Sequence, residues 1–304
     1  MGFRIGWTVK MTGENGAKRD RDPIMMVCGV IFLIAAVIAI GCFVANEWFP
    51  SSEETASTGD KVTVEYIGTY YAPYGETYAV VFDTSYSNIA NDNNIAKSND
   101  FTKKDSYSPL TFTIGQGSML SGFEDAVIGH KVGETFKVYL SEREGYVGPS
   151  ETFTINSTGA VMSLVYITTT ADFKNIYPDV TLSSEGFTSF QSKYGWSAEA
   201  AYVDSGNQVS IYYKPVVGDS YTVYSSGDTS VTLKVTSVGD GVIVYDLDVK
   251  NPVKVDGDKI QMIKLDLEEP IYLTEVSGSQ VTYKLGSEKV NEPLYFEIKL
   301  TKIE

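Results

Sequence analysis

Side chains able to act as acids, bases or nucleophiles are scarce in this 304-residue chain. It has one histidine, His130, inside the turn Gly129-His130-Lys131-Val132-Gly133. A Ser-His-Asp constellation needs its histidine buried beside a serine, and a turn ahead of a strand is a poor place for that. Both cysteines, Cys28 and Cys42, fall in one apolar span, which excludes a Cys-His metal site. Gly115-x-Gly117 with Gly122 lacks the βαβ surroundings of a phosphate loop. Asn91, Asp92, Asn93, Asp100 and Asp105 share a polar stretch but not EF-hand spacing. No metal and no cofactor is expected. The chain is rich instead in aromatic side chains, with 21 Tyr and 14 Phe, as expected of a β-rich protein.

Those aromatics need elements to hold them, and residues 109–148 supply the clearest set. Leu110, Phe112 and Ile114 alternate with Thr111 and Thr113, the period of a half-buried strand. Gly115-Gln116-Gly117 breaks it. Phe123, Ala126 and Val127 then fall at i, i+3 and i+4, one face of a short helix, with Gly129 where a helix stop is expected. Phe136, Val138 and Leu140 restore the period of two. A helix of about two turns is not stable alone. It must lie across a sheet, with inward aromatics lining a concave pocket between the two.

This run resembles the core of FKBP-type peptidyl-prolyl cis-trans isomerases, with P-L-x-F-x-I-G-x-G from Pro109, G-F-E-x-A-V-x-G from Gly122, Lys131-Val132-Gly133-Glu134, and a loop containing Tyr146. Gly59 to Gly68 is similar to the first core strand of that family, Val81-Phe82-Asp83-Thr84-Ser85 to its F-D-[TS]-S element, and Pro293 to Ile298 to its closing strand. The long segment before that strand resembles the SlyD-like branch, which carries an insert-in-flap domain there. The implied fold is α+β but mostly β: an FKBP-like antiparallel sheet wrapped on a short helix, with an inserted β-rich domain and an N-terminal transmembrane helix.

The resemblance implies an activity that needs none of the missing groups. The barrier to rotation about a peptide bond is about 18–20 kcal/mol and comes from amide resonance. A dry aromatic pocket removes the water that solvates the planar amide, and fixed contacts can then favour the twisted form. Carried over position by position, the catalytic set is Tyr66, Phe82, Asp83, Tyr146 and Phe296. The substrate-binding set is Leu110, Met119, Leu120 and Phe123. Phe123 is the implied floor for the proline ring, and Tyr146 the implied hydroxyl donor to a substrate carbonyl. Asp83 is expected to act on the twisting amide or to hold Tyr66. Phe112 reads as core. The implied partners are proline-containing unfolded or exported polypeptides. An FKBP fold without activity, serving as a holdase or envelope scaffold, is the other reading.

The rest of the chain gives organisation and place. A net charge of −15 makes nucleic acid an unexpected partner. Residues 1–22 read as a cytoplasmic tail and 23–45 as a transmembrane anchor, since Ile24 to Ala45 is uncharged and long enough to cross about 30 Å of hydrocarbon. Basic residues before the span and Glu47, Glu53 and Glu54 after it orient the N-terminus to the cytoplasm. The expected location is thus a cell membrane, single-pass, with the C-terminal domains outside; the acidity and the absence of cysteine there fit an archaeal surface. Residues 46–58 form a linker. Residues 59–150 and 293–304 form the isomerase-like domain, and 151–292 the inserted β-rich domain. Residues 86–108, polar and rich in Asn and Ser, read as a solvated loop. Within the insertion, Tyr202 to Tyr212 and Ser237 to Tyr245 echo each other as strand, glycine turn, strand. A helical patch near residues 170–177 ends at Pro178.

Overall fold

The computed structural model describes residues 54–304. The expected tail, membrane span and most of the linker lie outside the described residues. No helix among the described residues is long and apolar enough to cross a membrane.

The chain is mostly β, with antiparallel sheets and few helices. The first sheet is built on β1 (Lys61–Tyr70), whose Val62 and Val64 are fully buried. One edge of β1 pairs along its length with the closing strand β18 (Leu294–Ile303). The other edge is shared: Lys61 to Val64 pair with β3 (Leu110–Thr113), and Ile67 to Tyr70 with β2 (Val80–Thr84). β4 (Thr135–Leu140) adds to the far side of β18. The short helix α2 (Ser121–Asp125) lies on this sheet and buries Phe123, with Val127 just beyond it. These two pack with Val62, Val64, Phe112, Ile298 and Leu300 in one core. Each buried side chain of this size is worth roughly 1.5–3 kcal/mol, which is what holds so short a helix in place.

The stretch 86–108 is more than a solvated loop. It opens with α1 (Ser87–Asn91), and Ile89 and Ala90 are buried. Ile89 packs with Ile67 and Val81 in a small separate cluster, joined by Ile95 and Phe101. Val81 also bridges Lys97 in parallel. Four apolar residues in a run of Asn and Ser suffice, because β1 and β2 present an apolar outer face that must be covered.

The chain between β4 and β18 forms three more sheets. β5 (Glu151–Asn156), β6 (Ala160–Ser163) and β7 (Val165–Thr169) are consecutive, yet each joins a different one. β7 pairs with β10 (Gln208–Lys214), followed by β9 (Ser197–Val203) and β8 (Thr188–Gln191). β6 pairs with β13 (Val242–Lys250), followed by β12 (Thr229–Gly239) and β11 (Ser220–Ser226). β5 pairs with β17 (Gln280–Leu285), followed by β16 (Ile271–Ser277), β15 (Lys259–Leu265) and β14 (Lys254–Asp256). α3 (Thr170–Ile176) is capped by Thr169, whose Oγ1 accepts from the Asp172 backbone N–H, and Pro178 follows its end. The two echoed segments are both hairpins with different turns: a 3₁₀ turn at Asp204–Gly206 in one, and Asp240-Gly241, both at positive φ, in the other. A second core, centred on Trp196, Ile211, Val231 and Ile243, fills the space between these sheets.

Candidate active site

The elements of the first sheet converge on one cavity of about 280 Å³. β1 supplies Tyr66, β2 supplies Phe82 and Asp83, and β3 supplies Leu110. The turn into α2 gives Met119 and Leu120, α2 gives Phe123, the loop after β4 gives Tyr146, and β18 gives Phe296. All nine positions singled out in the sequence line this space, and Ser118 joins them. Phe112 faces the core and does not line the cavity. His130 lies elsewhere, stacked on Phe136 and paired with Glu134. Among the described residues no group of His, Cys, Asp and Glu could hold a metal ion.

Edge-to-face rings form the walls. Phe123 meets Tyr66 at 6.0 Å and Phe296 at 5.0 Å between centroids, and Phe296 meets Phe82 at 5.5 Å. The rings come this close because Gly68 lies beneath them. A Cβ there would stand 2.5 Å from Cζ of Phe82 and 3.0 Å from Cε1 of Phe296.

Polar groups sit at one side. The Tyr66 hydroxyl donates to Asp83 Oδ2 at 2.7 Å. Asp83 Oδ1 accepts from the Thr84 backbone N–H at 2.8 Å and from Lys104 Nζ at 2.6 Å. Ser85 and Thr84 fix the backbone of Tyr66 in turn, through Ser85 Oγ on its N–H and Thr84 Oγ1 on its carbonyl. Burial, and then the bond to Asp83, push the Tyr66 hydroxyl well above its ordinary range, so it remains a donor. Burial and the nearby Asp83 also raise Tyr146. Burial and the Asp83 charge alone act on the Tyr146 hydroxyl, with no hydrogen bond to another described residue, and Lys289 Nζ lies 4.8 Å from its ring centroid. The cavity thus offers an apolar floor, four aromatic walls, one free hydroxyl donor and one carboxylate already supplied with donors.

Residues 52–158 match the family model of the FKBP-type peptidyl-prolyl cis-trans isomerase. The match takes in β1 to β4 and α2, so this part of the chain is similar to an FKBP-type domain. A protein of Methanocaldococcus jannaschii, described as a short-type peptidyl-prolyl cis-trans isomerase, is 36% identical over 88 residues, covering 29% of this chain and 48% of that protein. The chain spans about half the length of that curated relative.

Four residues that sequence reasoning passed over organise the surroundings of the cavity. Glu124, buried on α2, accepts from the backbone N–H groups of Gly115 at 2.8 Å, Met119 at 2.9 Å and Gly117 at 3.3 Å. It ties down the turn that carries Ser118, Met119 and Leu120. Burial pushes its carboxyl up, but those backbone bonds outweigh burial and hold it below the ordinary range. Its place in G-F-E was the available signal. Lys104 arrives from the 86–108 stretch, which no local pattern ties to Asp83. Asn291, at φ 57°, donates from Nδ2 to the Gly148 carbonyl at 3.0 Å, and its own N–H donates to the Tyr146 carbonyl at 2.8 Å. The Tyr146 backbone is therefore fixed by the turn that returns from the insertion. Gly145 lets that loop lie on β18, since a Cβ there would stand 3.0 Å from Leu294. Glu288 reaches the same stretch as Lys104, with Oε2 accepting from the Asp100 N–H at 3.1 Å.

Proposed function

We propose that the chain is a peptidyl-prolyl cis-trans isomerase and folding chaperone for exported proteins, held at the membrane by its apolar span with the folded part outside. The observation that supports the activity most is the joining of nine residues from six separate segments around one aromatic cavity with a free tyrosine hydroxyl. A substrate proline ring enters over Phe123, between Tyr66 and Phe296. Its loss of water there destabilises the polar planar amide relative to the twisted one. The Tyr146 hydroxyl donates to a substrate carbonyl and fixes one side of the rotating bond. Asp83 holds Tyr66 in place and sets the local field. Each 1.36 kcal/mol gained in the twisted form over the planar one gives about tenfold in rate. The finer parts of the reading have their own support. The insertion with its own core suits a second, polypeptide-holding body on the SlyD-like pattern, and the uncharged span from Ile24 to Ala45 suits the anchor.

Protease-coupled isomerisation of an Ala-Leu-Pro-Phe-type peptide by the full chain tests the activity. Acceleration, reduced in Tyr146→Phe and Asp83→Ala while both stay folded, is expected. A folded chain that accelerates nothing would reject catalysis and leave an FKBP-fold binding protein.

A further inference from the structure

Beside the aromatic cavity lies a smaller one, of about 180 Å³. The two share Phe82, Asp83 and Tyr146 as walls. The smaller one adds Asp100 and two lysines, Lys104 and Lys289, that do not line the first. Its size is below that of ordinary small-molecule pockets, about 300–1,000 Å³, so it suits one side chain of a bound peptide. One residue of extended chain advances about 3.3 Å, so a proline in the first space brings the side chain next to it to the second.

Three of the four charges on this wall are matched within the protein. Asp83 Oδ1 accepts from Lys104 Nζ at 2.6 Å. Asp100 Oδ1 accepts from the Tyr272 hydroxyl at 2.9 Å and lies 3.5 Å from Lys264 Nζ. Lys289 has no carboxylate partner among the described residues, and its ammonium rests over the Tyr146 ring.

Lys289 is exposed, yet the backbone is held on both sides of it. Lys284, only 4% exposed, donates from Nζ to the carbonyls of Glu288 at 2.7 Å and Val290 at 3.2 Å, the two neighbours of Lys289. The Glu288 N–H donates to Asp100 Oδ2 at 3.2 Å, and Val290 bridges Tyr146 in parallel. A buried ammonium is stable only where fixed acceptors replace its water. Here those acceptors are the turn itself and Glu292, so the turn keeps one shape and presents Lys289 beside Tyr146.

Resting on the reading of the aromatic cavity as the proline site, we propose that this side pocket selects an acidic side chain adjacent to the proline, whose carboxylate pairs with Lys289. The net charge of −15 opposes acidic peptides at long range, but that field is screened beyond about 8 Å at physiological ionic strength, so the contact with Lys289 decides.

The test is methyl NMR on the full chain, following Leu110 and Met119 of the aromatic cavity, with two pairs of end-capped peptides: Ala-Glu-Pro-Phe against Ala-Gln-Pro-Phe, and Ala-Leu-Pro-Glu against Ala-Leu-Pro-Gln. In at least one pair the Glu peptide should bind about three- to fivefold tighter, as for a partly exposed ion pair. Raising salt to about 1 M, where screening acts over about 3 Å, should shrink that ratio. Lys289→Gln should bring it to about one, Lys289→Arg should keep it, and Lys289→Glu should invert it, which a merely structural role for Lys289 would not do. Equal binding of Glu and Gln peptides in both pairs, or a preference that survives Lys289→Gln, would overturn the proposal. Cis–trans exchange in the same samples separates this from the isomerase reading: no accelerated exchange of any peptide rejects catalysis, while the Glu-to-Gln binding ratio still decides for or against Lys289. No methyl shift with any peptide would overturn both.

Discussion

Asp83 is the most heavily committed polar residue of the aromatic cavity. Tyr66, Thr84 and Lys104 all donate to it. Its ion pair with Lys104 is partly exposed, so Lys104→Ala should change stability by less than about 1 kcal/mol. Asp83→Ala instead strips the half-buried Tyr66 hydroxyl of its acceptor, and urea unfolding should show a loss of about 1–3 kcal/mol. Equal losses in the two variants would contradict this division. Gly68 makes the opposite kind of prediction, one of space. Gly68→Ala must push the Phe82 ring into the cavity, with an expected stability loss of about 1–3 kcal/mol and a clear fall in kcat/KM. Unchanged values of both would mean that the rings are not packed as described.

At the scale of elements, the turn 115–119 depends on Glu124. Glu124→Gln should cost about 1.5–3 kcal/mol at neutral pH, read from denaturant midpoints, because it weakens charge-assisted bonds to three backbone N–H groups. The depressed carboxyl fixes the sign with pH. Its contribution is complete above the ordinary carboxylate range and disappears as pH falls through the lower folded value, so the gap between wild type and Glu124→Gln should close in acid. A gap that widens in acid would contradict the assignment. The strands and helix of residues 109–148 were legible because local alternation and a glycine stop wrote them in the order they are used. Glu124 was legible only as a helix residue, since its partners lie in a turn whose shape no periodicity encodes. The packing of Ile89, Ile95 and Phe101 was not legible either, because their partners Ile67 and Val81 come from other strands. Nor was the dispersal of β5, β6 and β7, three neighbours in sequence, among three sheets.

At the scale of the whole described molecule, two cores are threaded on one chain, one around Phe123 and one around Trp196. The connections between them run side by side at Gly148 and Asn291, next to Tyr146. Asp100 also receives Tyr272 and Lys264 from the inserted sheets, while Lys104, four residues on, holds Asp83. Ile211→Ala, deep in the second core, should cost about 2–5 kcal/mol and lower amide protection in β9 and β10. Because the two cores are separate, protection of β1 and β18 should change little at temperatures where both remain folded. Uniform loss of protection would show a single cooperative unit instead. The central claim is that the cavity itself speeds rotation about a prolyl bond. Two-dimensional exchange NMR on an Xaa-Pro peptide with a small molar fraction of the full chain measures that rotation without a coupling enzyme. Cis–trans cross-peaks within a second, where the uncatalysed exchange takes tens to hundreds of seconds, are predicted, with marked weakening in Tyr146→Phe. Cross-peaks that stay absent with the folded wild type, or that are equally strong with Tyr146→Phe, Asp83→Ala and Phe123→Ala, would contradict the account.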